Sequence, residues 1–86
     1  MKALIFTNDD GPECRSFLEI GKRLEEEGKK VEYLDWEDAE TTPIALLYDI
    51  YNPPALIVIR EDGTYIEGWQ GTLPIYSEVS SKVESD

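Results

Sequence analysis

Asn52-Pro53-Pro54-Ala55-Leu56-Ile57-Val58-Ile59 is the stretch on which the fold turns. Ala55 to Ile59 is apolar at every position. A strand with one wet face alternates apolar and polar residues, so an unbroken apolar run reads as a strand covered on both faces. The prolines before it stop any preceding helix, because proline cannot continue one. After it, Glu61-Asp62-Gly63 reads as a hairpin turn in which Gly63 supplies positive φ. Thr64 to Trp69 then returns with period two, Thr64 and Ile66 on one face and Tyr65 and Glu67 on the other. Gly71 breaks this strand.

The pattern toward the N-terminus is a strand followed by helical spacing, twice over. Lys2 to Thr7 is a short apolar strand ended by the turn cluster Asn8-Asp9-Asp10-Gly11-Pro12. From Glu13 to Glu27, Cys14, Phe17, Gly21 and Leu24 recur at spacings of three and four, with Ile20 beside them, which is one face of a helix. Pro12 suits its first turn and Gly28 its end. Val31 to Leu34 reads as a second strand with Val31, Tyr33 and Leu34 directed to the core. Thr42 can cap a second helix with Pro43 at its first position, and Ile44, Leu47, Tyr48 and Tyr51 form its apolar stripe. Beyond Gly71, Pro74 opens a last helix with Tyr76, Val79 and Val83 on one face. The order is β-α-β-α-β-β-α.

Composition narrows what such a chain can do. Leu, Ile, Val and Phe make up 22 of 86 residues, above the rough one-fifth below which a charged chain stays disordered. A single domain spanning residues 1–86 is expected at this length. With no His and one Cys, the usual zinc ligand sets and every Ser-His or Cys-His catalytic pair are excluded, as is an internal disulfide. The net charge is −11, which argues against nucleic acid as a partner. It is unevenly spread: residues 1–30 hold six basic and seven acidic groups, residues 31–86 two and twelve. The plain reading of this charge is a solvated helix face and solubility; the functional reading is repulsion of acidic partners or attraction of a basic one. Met1-Lys2-Ala3-Leu4-Ile5-Phe6 is too short an apolar run for a signal peptide or a membrane span, which points to the cytoplasm.

The element order, at this length, resembles the thioredoxin/glutaredoxin family, and particular residues strengthen the likeness. Members carry a strand, then Cys-x-x-Cys at the start of the first helix, often followed by a basic residue and a Phe. Gly11-Pro12-Glu13-Cys14-Arg15-Ser16-Phe17 fits this with Gly11 in place of the first Cys. Leu47 to Ile59 is similar to the family's segment that runs from the second helix through a cis-proline, here Pro54, into the third strand. Glu61-Asp62-Gly63 and Gly71 match its hairpin and the following glycine. The resemblance implies a thioredoxin-like α/β fold, a four-stranded mixed sheet with helices on both faces.

What the resemblance implies about chemistry is limited by the missing cysteine. In the dithiol cycle the first thiol attacks and the second resolves the mixed disulfide. In the register that is ungapped from the strand, Cys14 holds the resolving position and Gly11 the attacking one. A rival register, counted back from Gly28, makes Cys14 the attacking thiol of a monothiol arrangement. The helical stripe points Cys14 inward, where a Cys is mostly a small hydrophobe; exposed at the helix start, it would serve as a single thiol.

Three further departures bear on the site. Pro53, the residue before Pro54, has no N–H to offer an extended peptide. The position near Ile5, acidic in many relatives, is apolar. Asp9 and Asp10 stand where a Trp often lies, and their charge repels an anionic substrate such as glutathione. Asp9, Asp10 and Glu13 lack the spacing of a calcium loop. The candidate site is therefore Cys14 with Gly11, Pro12 and Glu13, facing Pro53 and Pro54. The expectation is at most a monothiol, mixed-disulfide role without the full dithiol cycle. The alternative is a redox-inactive protein-binding module using the groove and the acidic surface. No cofactor is expected, and the partners in view are a protein or peptide, not nucleic acid or membrane. The chain is expected to be a monomer, or a weak homodimer linked through Cys14 if that thiol is exposed. Trp36 and Trp69 read as half-buried packing residues, or, exposed together with Tyr51, as an apolar patch.

Overall fold

The computed structural model describes residues 1–8 and 12–83, with the side chain of Pro12 left aside. The strands are β1 (Lys2–Thr7), β2 (Lys30–Asp35), β3 (Ala55–Ile59) and β4 (Tyr65–Gln70), and the helices α1 (Pro12–Glu26), α2 (Thr41–Leu47) and α3 (Tyr76–Lys82). They form one mixed sheet in the order β2-β1-β3-β4. β1 runs parallel to β2 and antiparallel to β3, which is antiparallel to β4.

Both faces of this sheet are covered, as the apolar run 55–59 requires. All five residues of β3 are buried. Alternation along β1 and β3 sends Ala3, Ile5, Leu56 and Val58 into one core with Phe17 and Leu24 of α1 and with Val79 and Val83. Leu4, Phe6, Ala55, Ile57 and Ile59 enter a second core with Ala45 and Ile50. Each large aliphatic side chain fully removed from water on β3 stabilises the fold by about 1.5–3 kcal/mol. The hairpin turn closes with Gly63 at φ 93° and its N–H donating to the Arg60 carbonyl at 2.9 Å.

α1 ends as its sequence anticipates. Gly28 is left-handed at φ 83°, its N–H donates to Glu25 O at 2.9 Å, and Lys29 N–H donates to Leu24 O at 3.0 Å. These two bonds satisfy carbonyls that the last turn of a helix leaves open. α3 is tied to the same end of α1. The Tyr76 hydroxyl donates to the Glu27 carboxylate, Ser80 Oγ does so at 3.1 Å, and these bonds hold that carboxyl below its ordinary range.

Several positions fall differently from the sequence pattern. Tyr33 is 41 % exposed and not a core residue. β2 is an edge strand, so its tyrosine ring lies along α1, where the hydroxyl donates to Glu25 Oε1 at 2.6 Å. α2 starts two residues earlier than a Thr42 cap with Pro43 at the first position predicts, and its N-cap, Glu40, makes no side-chain capping bond. Its entry is set instead by two aspartate-capped turns, Asp35 Oδ1 accepting from Glu37 N–H and Asp38 Oδ1 from Glu40 N–H. Leu47 and Tyr51 are 72 % and 64 % exposed, and the inward face of α2 is Thr41 and Ala45 with Ile44 and Tyr48 half-buried. The helix ends at Leu47, ahead of the prolines. Asp49 adopts φ 56°, its N–H donating to Leu46 O at 3.3 Å, and Ile50 N–H donates to Ala45 O at 2.8 Å. That early stop turns Ile50 inward and Tyr51 outward. α3 begins at Tyr76, two residues past Pro74.

Candidate functional site

The first turn of α1 carries the one thiol of the chain. Glu13 and Arg15 are exposed, whereas Cys14 (4 %) and Phe17 (1 %) face inward. This follows from the spacing of three and four, which places Cys14 on the stripe that Phe17, Gly21 and Leu24 continue. The thiol is not left among apolar groups alone. Cys14 Sγ lies 3.0 Å from Asn8 Oδ1 and 3.6 Å from the Asn8 carbonyl, as a donor to the segment that leaves β1.

The second part of the site is the loop from α2 to β3. The Pro53–Pro54 peptide bond is cis, Pro53 is half-buried and Pro54 buried. The Pro54 carbonyl accepts from Gly71 N–H at 3.1 Å, so this loop and the turn after β4 are joined. Gln70 adds to that junction: its Oε1 accepts from Tyr51 N–H at 2.9 Å and Asn52 N–H at 3.2 Å, and its Nε2 donates to Asp49 O at 3.0 Å. Nothing in the sequence marks Gln70 for this role, because a polar residue at a strand end is what solvent alone would select.

These pieces enclose a groove. A pocket of about 320 Å³ is lined by Glu13, Ser16 and Phe17 of α1 and by Gly71 and Leu73 of the turn after β4. Leu73 is 50 % exposed, and Ile75 nearby 64 %. Of the predicted site residues, Glu13 lines this groove, Pro54 is bonded to its far wall, and Cys14 turns away into the core. Gly11, Asp9 and Asp10 lie outside the described residues, and α1 begins at Pro12. Among the described residues no group of three or more His, Cys, Asp or Glu side chains is placed to hold a metal ion. Among the described residues no helix is long and apolar enough to cross a membrane.

The two tryptophans occupy opposite faces of the sheet and do not share a patch. Trp69 packs against the α1 core, and Trp36 against the α2 core, edge-on to Phe6 at 6.4 Å between ring centroids. Trp36 and Tyr51 line one pocket beside α2.

No protein-family model and no curated protein matches the chain. Among solved structures it is similar to thioredoxin 1 from the thermophilic eubacterium Thermosipho africanus TCF52B, at 20 % identity and TM-score 0.73, over 95 % of this chain and 89 % of that one. It is also similar to an uncharacterized thioredoxin-like protein from Clostridium perfringens, at 22 % identity and TM-score 0.70. That likeness covers 93 % of this chain and 65 % of that one. The chain has the thioredoxin fold, with a single cysteine on the first turn of its first helix.

Proposed function

We propose, from a thioredoxin fold that carries one inward-facing thiol, that the protein is a binding module rather than a disulfide reductase. The observation that carries this reading is the placement of Cys14, 4 % exposed with its Sγ 3.0 Å from Asn8 Oδ1. Thiol–disulfide exchange needs a thiolate with open access to the sulfur it attacks. The dithiol cycle needs a second thiol on the same chain, and the sequence has none.

The groove between α1 and the turn after β4 supports binding of an extended peptide. Glu13, Ser16 and Phe17 line one side, Gly71 and half-exposed Leu73 the other, and the Gly71 turn is bonded to the cis-proline loop through the Pro54 carbonyl. Pro53 has no N–H, so a peptide laid there gains one strand-like hydrogen bond fewer. Apolar contact with Leu73 then supplies most of the affinity.

The competing reading is a monothiol role, in which the Cys14 thiolate attacks a partner disulfide, forms a mixed disulfide and releases the partner's other sulfur as thiolate. Reaction of the native protein with an aromatic disulfide reagent near neutral pH separates the two. Binding alone expects slow reaction in the folded state and fast reaction after denaturation. Rapid native labelling with covalent capture of a disulfide peptide overturns it in favour of the monothiol role. Insulin disulfide reduction is expected to show no turnover, and turnover would refute the need for a second cysteine.

A further inference from the structure

We infer that the α2 layer carries a second docking surface, separate from the groove, for a cationic peptide segment that inserts an apolar side chain. The pocket there has a volume of about 240 Å³ and is lined by Trp36, Thr42, Ala45, Leu46, Ile50 and Tyr51. It exists because α2 stops early. The left-handed Asp49 swings Tyr51 out over the pocket, and Tyr51 is held there by its hydroxyl, which donates to Asp49 Oδ1 at 3.2 Å. Leu46 and Tyr51, with Leu47 beside them, are 60 %, 64 % and 72 % exposed, a cluster of large apolar side chains that a surface does not ordinarily leave wet.

Charge decides what covers it. Residues 31–59, which supply the entire pocket, contain six carboxylates and no Lys or Arg. Asp35, Glu37, Asp38 and Glu40 flank Trp36 and the start of α2, and Asp49 adjoins Tyr51; all five are exposed. The cations of the chain lie elsewhere. Lys2 and Lys30 pair at the far end of the sheet, beside Ile59 and hence Arg60. Arg15, Lys22 and Arg23 belong to α1, on the opposite face. Lys29 is bonded to Ser80, and Lys82 lies 3.8 Å from Glu67. An apolar pocket rimmed by uncompensated carboxylates attracts Lys- or Arg-bearing segments and repels acidic ones. A second copy of this chain is disfavoured as the occupant, because a twofold contact would set the same five carboxylates against themselves. Anionic lipid and nucleic acid are repelled for the same reason.

The test is a titration of the isotopically labelled full chain, followed by amide chemical shifts, with two short peptides. One alternates Lys and Leu around a single Trp; the other carries Glu for Lys. The Lys peptide is expected to shift amides within 36–51 and to bind at least about tenfold tighter than the Glu peptide. Its affinity should fall as salt rises from about 50 mM to about 500 mM. Leu46→Asp should weaken it by about tenfold, since it removes an exposed anchor. Leu73→Asp, in the other groove, should leave it unchanged. If Leu46→Asp also lowers the thermal midpoint, Glu37→Lys with Glu40→Lys carries the same test on exposed side chains. Equal affinity for both peptides, shifts centred on Glu13 to Phe17 and Leu73, or indifference to these substitutions would overturn the proposal. So would a chain that dimerises through this patch on its own.

Discussion

The Cys14 thiol and the Asn8 side-chain carbonyl stand 3.0 Å apart, a contact that pins the first turn of α1 to the end of β1. It gives the single cysteine a structural task that a purely apolar residue could not perform. Cys14→Ala should therefore cost more than its lost sulfur volume, because the Asn8 oxygen also loses a donor. We expect about 1–2 kcal/mol of destabilisation, with Cys14→Ser recovering part of it through its hydroxyl. Chemical denaturation of the three proteins checks this, and a neutral Cys14→Ala would remove the structural role.

Gly21 is where α1 crosses the edge of the sheet. A Cβ there would lie 2.7 Å from Ile5 Cδ1, 2.7 Å from the Tyr33 hydroxyl and 2.9 Å from Tyr33 Cε1. Alanine improves helix propensity by about 1 kcal/mol, but the overlap with a packed core side chain costs typically 1–3 kcal/mol. Gly21→Ala is expected to destabilise, and a Tyr33→Ala background should relieve part of the loss. A Gly21→Ala protein with a raised thermal midpoint would contradict the packing.

Asp49 is the one described non-glycine residue with positive φ, at 56°. The conformation costs an L-residue with an ordinary Cβ about 1–2 kcal/mol, and glycine nothing. Asp49→Gly should exceed Asp49→Ala in stability by about 1 kcal/mol, measured by urea unfolding. The reverse order would mean that α2 is not stopped by this residue.

Tyr33 predicts an alkaline transition. Desolvation against α1, reinforced by the bond to Glu25, pushes its phenol up from 10.0 to about 12. The unfolded chain then releases this proton at lower pH than the folded one. The stability the group contributes is complete below pH 10 and is lost as pH rises from 10 to 12. Tyr33→Phe should flatten the stability profile across that window while leaving it unaltered near neutrality, apart from the lost Glu25 bond. An unchanged alkaline slope would place the titration elsewhere.

Much of this architecture is legible in the residues themselves. The apolar run Ala55 to Ile59 demands a strand buried on both faces, and the Cys14, Phe17, Gly21, Leu24 stripe demands a helix lying on it. Both signals are periodicities of burial, which local sequence expresses directly. The absence of His and of a second Cys likewise limits the chemistry before any coordinate is known. What the tertiary structure alone decided concerns residues whose local pattern suits either environment. Tyr33 and Leu34 look alike in a strand, and only the edge position of β2 leaves Tyr33 wet. Leu47 and Tyr51 continue the stripe of α2, but the packed phase of the helix puts Thr41 and Ala45 inward and leaves Leu47 wet, and the left-handed turn at Asp49 sends Ile50 inward and Tyr51 outward. The two registers for Cys14, one counted from β1 and one back from Gly28, differ over whether the thiol is exposed, and spacing alone does not encode that. The burial of its Sγ against Asn8 is a property of the folded chain, because the exposure of a helix face is set by packing on the sheet and not by the motif.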